Sequence, residues 1–264
     1  MTTLKYDEIG YWSEIKLEIV KKYASAYSRI LASQQYIKKY LYIDAFAGAG
    51  THISKRTGEF VPGSPMNALL IQPPFPELHF IDLDGCRAAE LRKLAGERTD
   101  VYVYEEDCNE ILQEKVFPRC RYKDYSRALC LLDPYGLHLD WSVIAAAGQM
   151  KTIEIFLNFP VMDMNMNVLW RDPDKVQPEQ GLRMDAFWGD NSWLKAAYSS
   201  DQNLFGFLEK ADNEVVAEAF RVRLHDVAGF PYVPTPMPMR NTKGAVVYYL
   251  FFASPNKTGG KIVQ

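Results

Sequence analysis

The stretch Tyr42-Ile43-Asp44-Ala45-Phe46-Ala47-Gly48-Ala49-Gly50 is an apolar run that closes on an acid and then on a Gly-x-Gly loop. Glycines there let the main chain turn sharply and bring N–H groups close to a ligand, where side chains would block the approach. Alone, the loop also suits a plain strand-to-loop turn. The constraint comes from four later apolar runs that also end on polar residues. Leu78 to Ile81 stops at Asp82-Leu83-Asp84, and Val101 to Tyr104 stops at Glu105-Glu106-Asp107. Ala128 to Leu132 stops at Asp133-Pro134-Tyr135-Gly136, and Ile153 to Leu157 stops at Asn158-Phe159-Pro160. Helical patterns lie between them, one with Ala88, Leu91 and Leu94 inward and one running from Asp140 through Trp141, Ile144 and Ala145. Near-continuous apolar strands alternating with helices predict a parallel sheet covered on both faces, with ligands bound at the C-terminal ends of its strands.

The flanking segments narrow the class. Trp12, Ile15, Ile19, Tyr23, Ala26 and Ile30 repeat at three and four beside a second stripe of Leu17, Val20, Ala24, Tyr27 and Leu31, which predicts a helix over 12–33 covering one face of the sheet. Lys16, Lys21, Lys22 and Arg29 are expected on its solvated side. Thr51 to Pro62 reads as a polar loop in which His52, Lys55 and Arg56 fold over a bound ligand, and Ser64-Pro65 as the N-cap and first turn of a helix. Residues 161–203, with Met162, Met164, Met166, Trp170, Trp188, Trp193, Arg171 and Arg183, predict a helical insertion. Its aromatics either wall a substrate pocket or pack a core of their own. Pro234, Pro236 and Pro238 lie two apart, so in an extended strand their missing donors share one side, which only an edge strand tolerates. Its partner, Ala245 to Phe252, is apolar throughout and belongs inside. Five parallel strands followed by such a hairpin give an α/β, Rossmann-like sheet of the class I methyltransferase layout, in one domain over 1–264. The terminal Lys261-Ile-Val-Gln reads as a helix only just begun.

Composition excludes more than it selects. With 48% apolar and 24% charged residues and a net charge of −3, the chain is no basic coat for a polyanion, though a local basic face fits within that balance. Lys115 to Lys123 is the densest basic run and reads as a solvated loop. Cys86, Cys108, Cys120 and Cys130 are scattered, with no pair or His at metal-ligand spacing, so a reduced, cytoplasmic protein without a metal centre is expected. No signal peptide and no run approaching the ~20 apolar residues of a membrane span are seen.

A cofactor with an amino acid moiety, a sulfonium, a ribose diol and an adenine matches the acids and glycines in this order, which points to S-adenosylmethionine. Gly48 and Gly50, with Phe46 beside them, suit its carboxylate, and Asp44 its ammonium. Asp82 suits the ribose hydroxyls, with Asp84 in competition, and Asp107 suits the adenine amino group. Each acid could equally cap the helix that follows. Asp133, Pro134 and Tyr135 are the candidate catalytic element: a side-chain acceptor and a backbone carbonyl free the lone pair of an exocyclic amine, and the ring stacks on a flat base. Asp-Pro-Tyr-Gly is also a good turn sequence. Without a Pro-Cys dipeptide, methylation of carbon by a cysteine nucleophile is not expected. A nicotinamide site would want a third glycine.

Taken together, Tyr-Ile-Asp-Ala-Phe-Ala-Gly-Ala-Gly, Gly63-Ser64-Pro65, Leu-Leu-Asp-Pro-Tyr-Gly (131–136), Leu157-Asn158-Phe159-Pro160 and Val-Tyr-Tyr-Leu-Phe-Phe-Ala-Ser (247–254) resemble the three-Cys-motif partner proteins over nearly the whole chain. The resemblance implies a methyltransferase-like fold and a functional link to a second protein that carries the three cysteines. Asp-Pro-Tyr also resembles the Asp/Asn-Pro-Pro-Tyr of amino-group methyltransferases with one proline missing, which moves the aromatic one place closer. Two functions remain open at this level. One is a methyltransferase for an exocyclic amine of a nucleic-acid base or a similar amine. The other is a cofactor-binding, catalytically silent partner subunit of a three-cysteine-motif protein.

Overall fold

A computed structural model describes residues 6–202 and 208–263. Strand β1 (Glu8–Ile9) leads into helix α1 (Tyr11–Ala32), strand β2 (Lys39–Asp44), a hairpin of β3 (Thr51–Ser54) and β4 (Phe60–Pro62), and helix α2 (Ser64–Leu69). Strand β5 (Glu77–Ile81), helix α3 (Gly85–Ala95), strand β6 (Val101–Tyr104), the short helix α4 (Cys108–Ile111), strand β7 (Ser126–Leu132), helix α5 (Trp141–Met150) and strand β8 (Ile153–Phe159) follow. Next come helices α6 (Val161–Asn167), α7 (Pro178–Trp188) and α8 (Trp193–Ala197), strands β9 (Tyr198–Gln202) and β10 (Leu208–Lys210) and helix α9 (Asn213–Asp226). Strands β11 (Met237–Arg240) and β12 (Val246–Ala253) and helix α10 (Lys257–Ile262) complete the described chain.

The central seven-stranded sheet has the order β11-β12-β8-β7-β2-β5-β6. Its five strands from β8 to β6 are parallel, while β12 runs antiparallel to β8 and β11 antiparallel to β12. The proline-rich arm is therefore the edge and the apolar arm lies inside, as the spacing predicts. The edge strand is shorter than the proline run: only Pro238 lies in β11, facing Tyr249, and Tyr232 meets Ser254 through an isolated bridge.

Two apolar layers sandwich the sheet. One holds Val20, Tyr23, Ala24 and Tyr27 of α1 against Tyr42, Phe80, Leu131 and Phe156. The other holds α5, α7 and α9 against Ile43, Cys130, Ile155 and Phe251. Each large side chain removed from water in this way stabilises the fold by about 1.5–3 kcal/mol. Met164, Trp188 and Trp193 of the 161–203 insertion belong to the second layer, so these three pack the common core, while Met162, Met166 and Trp170 stay exposed.

Three local expectations are corrected. The polar loop is the β3–β4 hairpin, to which β1 adds a third strand parallel to β3. The N-cap of α2 is Gly63, with Ser64 already helical. The run 115–123 forms helical turns rather than a loop, and three of its four cations are held by acids, Lys115 by Glu106, Arg119 by Glu77 and Arg121 by Asp124. No helix among the described residues is long and apolar enough to cross a membrane.

Candidate active site

The C-terminal ends of β2, β5, β6, β7 and β8 open into one cleft of about 1040 Å³. Its lining includes Phe46, Gly48, Asp82, Asp84, Asp107, Asp133, Pro134, Tyr135 and Asn158 from these strand ends. Five separate chain segments thus deliver polar groups to one place, as doubly wound sheets do where they bind ligands.

The glycine loop is fixed from two sides. Gly48, at φ +65°, donates its N–H to Asp82 Oδ2 at 2.8 Å, and Asp84 donates its own to Asp82 Oδ1 at 2.9 Å. Asp82 is buried and ties the first loop to the second. Asp84 lines the cleft as well, but it is exposed and caps α3 through the N–H groups of Cys86 and Arg87. Asp107 likewise caps α4 through Asn109 N–H while lining the cleft. Burial and the neighbouring Asp107 push the Asp140 carboxyl upward.

Two expected cofactor ligands do not line the cleft. At Gly50, φ is +79° and an added Cβ would stand 2.4 Å from Leu94 Cδ1. This glycine lets the loop pass against α3, and its carbonyl accepts from Gly63 N–H at 2.8 Å to close the base of the hairpin. Asp44 is 0% exposed, beneath the loop it introduces, so a direct contact with a ligand ammonium is closed to it. Burial raises its carboxyl to about 7, with the charge of Asp133 adding to that and the Ser64 hydroxyl, the Phe46 amide and Lys16 working the other way. These neighbours ease the burial without completing it, for neither Asp44 oxygen has a partner at hydrogen-bonding geometry among the described residues.

Lys16, expected on the solvated side of α1, instead lines the cleft and is buried. It is buried at 7% exposure, and its Nζ donates to Asp133 Oδ2 and lies 5.4 Å from the Tyr248 ring centre. Burial opposes its charge, yet Asp133, Tyr248 and Asp44 outweigh it and hold its pKa above the ordinary value. Lys21, Lys22 and Arg29 are exposed as expected. A signal for Lys16 does exist: it falls four after Trp12 and three before Ile19, a lysine in the middle of an apolar stripe.

Tyr135 is 91% exposed at the cleft and Pro134 is buried beneath it. Of the hairpin residues His52 alone reaches the cleft; burial lowers its pKa, and its Nδ1 has no partner. Lys55 and Arg56 point to solvent. Arg183 and Ala186, one helical turn apart on α7, bring the insertion to the cleft wall. Among the cations that line it, Lys16 pairs with Asp133 and Arg87 with Asp7, and Arg183 has no carboxylate partner among the described residues.

The strand order, the reversed last strands and a cleft at the C-terminal ends define a class I methyltransferase-like fold. The LPL1258 protein of Legionella pneumophila is similar in structure, with a TM-score of 0.52 and 14% identity over 94% of this chain and 88% of that one. A SAM-dependent methyltransferase of Leishmania major gives a TM-score of 0.40 at 10% identity, over 90% of this chain and 72% of that one. An S-adenosylmethionine-dependent methyltransferase of Mesorhizobium loti gives 0.38 at 12%, over 88% and 99%. Of these three, the first alone exceeds a TM-score of 0.5, and at 14% identity its likeness is one of fold. No family model and no curated protein matches the sequence.

Proposed function

We propose that this chain is an S-adenosylmethionine-dependent methyltransferase for an exocyclic amino group of a nucleic-acid base or a similar amine. The observation that carries this is the meeting of Asp133, Pro134 and Tyr135 with the Gly48 turn and Asp82 in one cleft. The residues fit the cofactor. Asp82 and Asp107 are acceptors for hydroxyl and amino groups, and Asn158 Oδ1 and His52 Nδ1 are buried polar atoms without a partner among the described residues. Such orphans are uncommon in folded proteins and favour a polar ligand.

When bound, the cofactor supplies an electrophilic methyl group. The chain's part is to present the acceptor. Lys16 holds Asp133 Oδ2, which leaves Oδ1 to accept one N–H of the amine while the Pro134 carbonyl accepts the other. With both N–H groups engaged, the nitrogen lone pair leaves conjugation and becomes nucleophilic. The exposed Tyr135 ring offers a stacking face worth about 1–3 kcal/mol.

The test is transfer of a labelled methyl group to DNA, RNA, nucleosides and small amines. Asp133→Ala is expected to lower turnover by about 100-fold or more with cofactor binding retained, whereas Asp82→Ala weakens cofactor binding itself. One observation favours a second function, the catalytically silent subunit of a three-cysteine-motif protein: Asp133 is already occupied by Lys16. Cofactor binding without transfer to any acceptor, in the presence of that protein as in its absence, would decide for it.

A further inference from the structure

Asp44 has no place in the acceptor chemistry, yet it is a fully buried carboxyl with two orphan oxygens directly below the cleft floor. An ionised carboxylate there, with no hydrogen bond to either oxygen, is costly, whereas the neutral acid is tolerated. Its surroundings are specific. From α1 it faces the Lys16 ammonium, from the β7 end Asp133, from α2 the Ser64 hydroxyl, from its own strand and loop the Tyr42 phenol and the Phe46 amide, and from β7 the Cys130 thiol. Lys16 is committed to Asp133, so this pair is close to neutral as a unit and leaves Asp44 without a counter-ion of its own.

Resting on the proposed cofactor, we infer that Asp44 is the residue that exchanges a proton for the cofactor's positive charge: it is protonated in the free protein and ionises when the sulfonium arrives in the cleft above it. The O–H bond of the Asp44 carboxyl breaks, its proton passes to solvent, and the remaining carboxylate offsets the sulfonium. Charge balances, since one positive charge enters and one leaves. Asp44 thus discriminates the charged methyl donor from the neutral demethylated product across the cleft floor, without touching either.

Burial raises the free carboxyl to about 7, so the free protein holds this proton below neutral pH. A unit charge entering the cleft, at an effective dielectric constant of ~20, would shift the pKa of a carboxyl beneath it by on the order of one unit. For a shift of that size, linkage gives a release of about half a proton per bound cofactor near pH 6.5, and a donor-over-product preference that rises roughly five- to tenfold from pH 5.5 to 8.5.

The experiment is titration calorimetry of S-adenosylmethionine and of S-adenosylhomocysteine in buffers of different ionisation enthalpy, which counts protons directly and needs no turnover. The two ligands differ by the methyl group and its charge, so their difference isolates the effect. Expected is release with the methionine form only, abolished in Asp44→Asn and retained in Glu154→Gln, whose carboxyl is also buried and raised to about 7 but lies at the far end of the sheet from the cleft. If Asp44→Asn fails to fold, Ser64→Ala serves instead: loss of a hydroxyl that eases the buried charge moves the release maximum to higher pH. Binding of both ligands with equal proton counts, or release that persists in Asp44→Asn, overturns this role and leaves the proposed function standing. No binding of either ligand at millimolar concentration overturns both.

Discussion

Lys16 and Asp133 are 117 positions apart in the chain and form one unit in the fold. Removing one member leaves the other in a poorly solvated place, and for a buried pair that costs more than the pair itself contributes. Lys16→Met is therefore expected to destabilise by about 1–3 kcal/mol, read as a lowered denaturant midpoint. Asp133→Asn made in the same chain should recover part of that loss, because the uncompensated charge is gone. Additive losses would show that the two residues do not share one interaction. The pair also marks the limit of what was legible. Asp133 is announced by its place at the end of an apolar run, since strand ends are local. Lys16 is announced only as a lysine on an apolar stripe, and what makes burial tolerable there is a carboxylate from another element. Asp44 shows the converse: the sequence places it at a strand end like Asp82, but α1 and α2 close over it and leave the cleft to its neighbours.

At the scale of elements, the sheet was readable because its strands are buried on both faces and their apolar runs need no tertiary information. The reversed hairpin was readable from the prolines, which restrict themselves to an edge. The β3–β4 hairpin was not, because strands of 4 and 3 residues with a polar turn give too short a period-two signal. The reach of the insertion into the cleft was legible as one of two alternatives: Arg183 and Ala186 of α7 face it, while Met184, Phe187 and Trp188 on the other side are locked in the core. The glycine loop separates two roles that look alike in the sequence. Gly48→Ala meets only the positive-φ penalty of roughly 1–2 kcal/mol, its new Cβ lying 3.9 Å from His52. Gly50→Ala adds to that penalty a collision with Leu94. The Gly50 variant is expected to melt several degrees below the Gly48 variant, and Leu94→Ala in the same chain should remove the collision but not the backbone strain. Equal melting temperatures would place neither glycine against α3.

Over the whole molecule, two carboxyls stand out because the fold buries them beyond the reach of any neutralising cation of their own. Glu154 lies at the N-terminal end of β8, the far end from the cleft, and accepts from Tyr23 Oη at 2.5 Å and Ser254 Oγ at 2.9 Å. Gly259 of α10 packs directly on this cluster, where an added Cβ would stand 2.7 Å from Glu154 Oε1, so the last helix seals it. Burial outweighs both hydroxyl donors and raises Glu154 to about 7, as burial does for Asp44. A carboxyl whose pKa is raised on folding binds its proton more tightly in the native state. Its contribution is therefore complete below the unfolded value near 4.5 and is lost as pH rises through about 7. For Glu154 alone the rise corresponds to about 3 kcal/mol at most, and Asp44 acts in the same direction. The melting temperature is expected to fall by roughly 5–10 °C between pH 5 and pH 8. Glu154→Gln, isosteric and always neutral, should match the parent at pH 5 and exceed it at pH 8, and adding Asp44→Asn should flatten the profile further. A level or rising profile in the parent, or an unchanged slope in Glu154→Gln, would mean that water reaches these carboxyls and that the two layers over the sheet are looser than their packing implies.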